Sequence, residues 1–271
     1  MKISVSRYTL TSLLLAVAVV VAGLVVGELN LEIFAFPVNV ILMALWLVMI
    51  VELYRRRQSV VVARYLLSSQ ATIFSLVISV ALTIWAGLQA KPATTNFTFV
   101  VALLFVMTQV AMVTLRGWRN DGGVRWLFLF SHSGLLLALS AGVWGAPDSA
   151  VLRMKVGAEA VYEAVDVAGH KRYLDYDITL SNYKVDYYDN GTPSEYRADV
   201  VVADKSVVLR VNEPYSVSYG EDIYLVSFDM ADKARPCVLQ IVRQPWRGVM
   251  VAGVVMLIVS AVLMFLRGPK R

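Results

Sequence analysis

The chain is poor in the residues that carry most protein chemistry: its 271 residues include one cysteine and two histidines. A single thiol, Cys237, closes no intrachain disulfide, and no C-x-x-C offers thiol exchange. Its place before Val238 and Leu239 reads as that of a small apolar strand residue. No G-x-S-x-G, P-loop, G-x-G-x-x-G or metal-spaced Cys/His cluster occurs, which removes the common hydrolase, nucleotide and zinc sites. Charge is scarce as well, at 17% of residues against about 25% in soluble domains. What abounds is apolar: 58% of the chain, with a mean hydropathy of +0.63. That balance excludes a disordered chain, a disulfide scaffold and an ordinary cytosolic enzyme. The excess lies in residues 9–145 and 249–266, whereas 146–247 has the composition of a soluble domain.

A helix crossing a bilayer needs about 20 apolar residues. Six stretches qualify: Thr9 to Val26, Phe34 to Leu53, Tyr65 to Leu88, Phe97 to Leu115, Trp126 to Trp144 and Val249 to Leu266. The first follows Lys2 and Arg7 but is long and lacks an A-x-A site, so an uncleaved helix is expected. The expected organisation is a five-helix transmembrane region over 1–145, an extracytoplasmic β-rich domain over 146–247, and a sixth helix with a tail over 248–271.

Lys and Arg in short loops set orientation. Lys2 and Arg7 precede the first helix; Arg55, Arg56, Arg57 and Arg64 follow the second; Arg116, Arg119 and Arg125 follow the fourth; Arg267, Lys270 and Arg271 end the chain. The alternate loops carry only Lys91 as a base, with Glu28 and Glu32 as acids. Both termini are therefore expected in the cytoplasm and the 146–247 domain outside. Trp118 and Trp126 then fall at the inner interface, and Trp85, Trp144 and Trp246 at the outer one. The net charge of +5 is mostly topological, since residues 146–247 hold 12 Lys and Arg against 16 Asp and Glu. No basic face gathers for nucleic acid, so none is expected as a partner.

In the 146–247 domain, Tyr173, Leu174, Tyr176, Ile178, Leu180, Tyr183 and Val185 alternate as a strand over 173–186. Asp189-Asn190-Gly191 follows, and an Asn-Gly step accepts the positive φ of a tight hairpin. Further strands are expected at Arg197–Val202, Val207–Val211, Ile223–Phe228 and Val238–Val242, with Pro214 at a turn. Such spacing predicts an antiparallel sheet or sandwich. Ten of the 13 tyrosines lie here, as expected of sheet packing on a half-wet surface.

Of the histidines, His170 sits in Ala168-Gly169-His170-Lys171, a surface turn. His132 lies in the fifth helix, about 10 Å from its start at helical rise. An ionisable group within a membrane helix is costly and marks a candidate site. Two alternatives stand: His132 hydrogen-bonds a neighbouring helix with Ser131 or Ser133, or it ligates a flat apolar cofactor such as haem. Ser131 and Ser133, adjacent in sequence, are expected to point away from it. Its i±3 and i±4 neighbours, Phe128, Leu129, Leu135 and Leu136, suit haem better than a proton relay. Gln70 and Gln109 read as helix-packing hydrogen bonds. A transporter is disfavoured because no carboxylate lies between the helix ends.

Phe130-Ser-His-Ser-Gly-Leu-Leu-Leu-Ala-Leu139, with Ala141, Gly142 and Gly145, resembles the H-x-G-L-L-L…G helix of ResB-type proteins, the CcsB component of system II cytochrome c biogenesis. Leu180-Ser-Asn-Tyr-Lys-Val-Asp-Tyr-Tyr-Asp-Asn-Gly-Thr-Pro193 is similar to that family's strand and Y-x-(D/N)-G-x-P turn. Val211-Asn212-Glu213-Pro214, Ile223-Tyr224-Leu225 and Cys237–Pro245 follow in the family's order, so the resemblance spans residues 124–267. It implies a subunit of the bacterial cytoplasmic (inner) membrane that pairs with a CcsA/ResC-type protein, moves haem outward and presents it to apocytochrome c. It further implies His132 as an axial ligand of the haem iron, with the haem shared with the partner. The tryptophan-rich segment and outside histidine pair of the partner are absent, so a non-catalytic or co-catalytic subunit of a haem-attaching complex, without catalytic residues of its own, is implied. The alternative from the residues alone is a membrane-anchored structural or sensory protein whose β-domain binds another envelope protein.

Overall fold

The computed structural model describes residues 7–89, 92–120, 123–190, 193–228 and 236–267. Lys2, Lys91, Gly191, Lys270 and Arg271 lie outside the described residues, and with them the charge and turn assignments they carry. The fold divides into two compact units, Met1–Pro147 with Trp246–Arg271, and Asp148–Pro245.

The first unit contains helices α1 (Arg7–Val26), α2 (Val38–Arg55), α3 (Val61–Leu66), α4 (Ser69–Gly87), α5 (Phe97–Gly117), α6 (Trp126–Trp144) and α7 (Arg247–Arg267). All but α3 are long and apolar enough to cross a membrane, which makes six candidate spans among the described residues. The third expected span is shorter than its apolar run. The chain leaves the helix at Leu67, and extended Ser68 restarts it by accepting from the Ala71 N–H at 3.2 Å. A serine oxygen satisfying a first-turn donor is an ordinary N-cap, worth about 1 kcal/mol.

Helix α5 forms the middle of this unit: 39% of its most apolar stretch is buried, against 11% in α1, α2, α4 and α7. Polar side chains tie the helices together. Gln109 donates to Thr72 Oγ1 at 2.8 Å, as the sequence predicts, whereas Gln70 makes no such bond among the described residues. Trp46 Nε1 donates to Thr108 Oγ1 at 3.0 Å, Asn39 Nδ2 to the Trp144 carbonyl at 2.8 Å, and the Ser12 and Tyr65 hydroxyls lie 2.6 Å apart. In hydrocarbon such bonds average about 0.6 kcal/mol each, so close packing carries more of the association. That packing is tightest between α6 and α7. A Cβ on Gly134 would lie 2.8 Å from the Gly253 carbonyl oxygen, and one on Gly253 would lie 2.6 Å from Ala138 N.

Trp118 and Trp126 are exposed, as an interfacial belt requires. Trp144 departs from the expectation. It is buried, with its ring 6.2 Å from that of Trp46, because the same turn of α6 accepts the Asn39 bond and is drawn inward.

The second unit is one antiparallel sheet. Its strands are β3 (Ala150–Val156), β4 (Val161–Asp166), β5 (Lys171–Tyr187), β6 (Pro193–Val202), β7 (Lys205–Arg210), β8 (Tyr215–Ser218), β9 (Glu221–Phe228) and β10 (Cys237–Arg243). A two-residue pair, β1 (Arg119–Asn120) with β2 (Gly123–Val124), belongs to the helical unit. The order β7-β6-β5-β4-β3-β10-β9-β8 places the last strand in the interior, paired with both β3 and β9. Strands β6 and β7 touch β9 although they lie far apart in that order, so the sheet rolls over a single core. Leu152, Met154, Ile178, Leu209, Ile223, Leu239 and Ile241 fill it. Tyr176, Tyr183, Tyr196 and Tyr215 pack against it, as predicted, while Tyr162, Tyr173, Tyr187, Tyr188 and Tyr219 stand exposed.

A polar group closes one end of the roll. Glu221 accepts from the Tyr176 hydroxyl and from Arg243 Nε at 2.7 Å. Burial, then the bond to Glu221, pushes the Tyr176 phenol above its ordinary range. Beside it Gly220 has φ +79° and its carbonyl accepts from Gln244 N at 2.6 Å; a Cβ there would meet the Gln244 backbone.

Cys237 is fully buried in this core, and burial pushes its thiol up to about 12. Burial disfavours the thiolate, so the unfolded chain ionises first as pH rises past the ordinary value of 9.0. Stability is present below that value and falls across the window up to about 12. Maleimide at pH 8 is therefore expected to leave the folded protein unmodified and to label it in denaturant. Rapid labelling without denaturant would contradict the burial.

Candidate functional site

His132 sits on α6 one turn after Phe128. Its ring stacks on the Phe128 ring, with centroids 3.9 Å apart and planes 28° from parallel. Its Nδ1 lies 3.0 Å from the Phe128 carbonyl oxygen and 3.1 Å from Ser131 Oγ. The first of these decides the tautomer, because a carbonyl can only accept. Nδ1 therefore carries the proton, and Nε2 keeps its lone pair.

Two expectations are corrected here. Ser131 does not point away from His132: its hydroxyl donates to the Phe128 carbonyl at 3.0 Å, so serine and imidazole converge on one acceptor. Nor does His132 bond a neighbouring helix among the described residues. Its partner is its own helix's backbone, which sequence neighbours of apolar type conceal.

The two sides of α6 have different work. At 100° per residue, Gly134, Ala138 and Ala141 fall roughly opposite His132. The glycine side packs on α7, as the close approach of Gly134 and Ala138 to Gly253 shows. Phe128, His132 and Leu136 share the other stripe. His132 remains half-buried, and nothing among the described residues hydrogen-bonds Nε2. Above the stack, the guanidinium of Arg125 lies 4.8 Å from the Phe128 ring centroid.

An imidazole whose Nδ1–H is held by a carbonyl and whose Nε2 is free is a prepared metal donor. It cannot build a protein-only metal site, since the described residues contain no group of three His, Cys, Asp or Glu able to hold an ion. A cofactor that brings four ligands of its own and an apolar face, such as haem, would ask only one axial donor of this helix. His170 offers nothing comparable. It is exposed in a turn where Asp166 Oδ1 accepts from the Ala168 and His170 N–H groups at 2.9 Å, and its ring pairs with Asp166 at 3.3 Å. Burial would raise the Asp166 carboxyl, but the two N–H bonds, His170 and Arg172 together hold it below its usual value.

The stretch carrying both the α6 stripe and most of the sheet, residues 122–237, matches the model of the ResB-like family. That stretch is similar to the ResB-like family. The match takes in His132 and runs through β9 to the first residue of β10. The solved structure titled "Cytochrome c Heme Lyase CcmF" aligns with 69% of this chain at 11% identity and a TM-score of 0.34. The chain spans 33% of that protein's length. A search of curated proteins returns no match.

Proposed function

We propose that this protein is a membrane subunit of cytochrome c maturation that handles haem through His132. The observation that carries the proposal is the anchored Nδ1 and free Nε2 of an imidazole on an apolar stripe, within the ResB-like segment. Bound haem is cargo on its way to covalent attachment to a c-type cytochrome. The chain's own part is to hold it by one axial nitrogen, keep that ring oriented through the Phe128 carbonyl, and shield it with Phe128 and Leu136. A second axial ligand comes from a CcsA/ResC-type membrane partner, and apocytochrome c receives the haem. Exposed Arg56, Arg57, Arg64, Arg116 and Arg125 support both termini in the cytoplasm and the β-unit outside the bacterial inner membrane. The ligand role predicts no catalytic residue in this chain.

The test is a haem absorption spectrum of the chain co-purified with its partner. His132→Ala is expected to lose the bound haem, or at least its axial-ligation bands, at unchanged protein level. An unaltered spectrum rejects the ligand. A structural or sensory envelope protein instead predicts no haem in any preparation and normal c-type cytochromes after deletion.

A further inference from the structure

Arg125, Phe128 and His132 occur at spacings of three and four, which places all three on one face of α6. They form a continuous stack: guanidinium on phenyl at 4.8 Å, phenyl on imidazole at 3.9 Å. Seven residues of helix separate the two ends, about 10 Å along the axis. The guanidinium is exposed and has no acidic partner among the described residues. The cation is thus held over the ring that also orients the imidazole, with its donors unspent. The residue is also the N-cap of α6 and makes no side-chain cap bond, so it is not engaged in closing the helix.

We propose that Arg125 is the carboxylate-binding residue of the His132 site and pairs with the propionates of a haem. The proposal rests on the haem-handling role above. A haem carries its two carboxylates on one edge, so a ligand held by iron at His132 has an anionic side to direct. Along this stripe the chain offers apolar side chains in one direction and a planar cation in the other. Guanidinium and carboxylate match as a two-pronged hydrogen-bonded pair, which Lys supplies only as a point charge. Arg125 would therefore set which way the ring faces, and it is a positioning residue, not a metal ligand.

The test is titration of the full chain in lipid nanodiscs with haemin and with haemin dimethyl ester, whose propionates are neutral. Wild type is expected to prefer haemin by about tenfold, the effect of one charge-assisted pair. Arg125→Gln should bind both forms alike while retaining the His132-dependent spectrum, and Arg125→Lys should keep part of the preference. Arg119→Gln, which removes a charge from the same loop, should keep it all. A preference absent in wild type, or undiminished in Arg125→Gln, overturns the proposal. So does an equal loss in Arg119→Gln, which would reduce it to loop charge. Metal-free protoporphyrin IX and its dimethyl ester repeat the comparison by fluorescence without iron ligation. Failure of His132 as ligand then shows in the His132→Ala haem spectrum alone, and failure of Arg125 in the ester comparison alone.

Discussion

Gly253→Leu is expected to break the α6–α7 pair and to leave little folded protein in the membrane. A Cβ on Gly253 already falls 2.6 Å from both Ala138 N and the Gly134 carbonyl oxygen, and 3.1 Å from Ala138 Cα. All three are backbone atoms of α6, so no side chain can rotate aside. Even Gly253→Ala forces the helix axes apart, at a cost of about 1–3 kcal/mol for overpacking. The larger side chain costs more and opens the interface along its length. Lipid tails solvate leucine as well as a neighbouring helix does, so no hydrophobic drive restores the pair once its close packing is lost. Gly142→Ala is the control: on α6 a Cβ at this position would meet nothing within 4 Å, and Ala is the better helix former by about 1 kcal/mol. Thermal unfolding in detergent should show a steep loss for Gly253→Leu and none for Gly142→Ala. Equal melting of Gly253→Leu and wild type would remove this interface from the fold.

The second large effect is in the β-unit. Leu239 is fully buried and lies on β10, opposite Met154 of β3 and Leu225 of β9. Truncating it to alanine removes three carbons from the strand that joins the two halves of the sheet. The expected cost is about 2–5 kcal/mol, transfer and cavity together. Against a typical domain stability of about 5–15 kcal/mol, that is a large share. Val238→Ala, one residue away on the opposite face and only half-buried, should cost less than about 1 kcal/mol. Urea-induced loss of the tyrosine near-ultraviolet circular dichroism reports both. Similar midpoints for the two variants would mean that the core does not lie where β10 places it.

Much of this was legible in the chain. The strand expected at 173–186 lies within β5, and those at Ile223–Phe228 and Val238–Val242 lie within β9 and β10. Alternation of buried and less buried residues holds in β10 through Ile241 and in β5 up to Ile178, but it slips in β5 at the register shift between Leu180 and Asn182 and in β9, where Val226 and Ser227 are both exposed. Strands β3 and β4 were not legible. In β3, Leu152, Met154 and Val156 point inward, but the outward Val151 blurs the alternation directly after a membrane helix. In β4 a register shift between Val161 and Glu163 breaks the period. The restart of α4 had a readable signal in Ser68, which an unbroken apolar run outweighed.

At the candidate site, His132 stood out because an imidazole in an apolar helix is in the wrong solvent. Which nitrogen it leaves free was invisible, since the Phe128 carbonyl that decides it has no letter in the sequence. The sequence by itself determined how the chain divides between lipid and water, because that free energy sums over each run of about 20 neighbouring residues. Only the tertiary structure decided that β10 lies inside the sheet, that Gly134 meets Gly253, and that Arg125, Phe128 and His132 stack. Those outcomes depend on rotamers and on partners distant along the chain, whose contacts no local window of sequence contains.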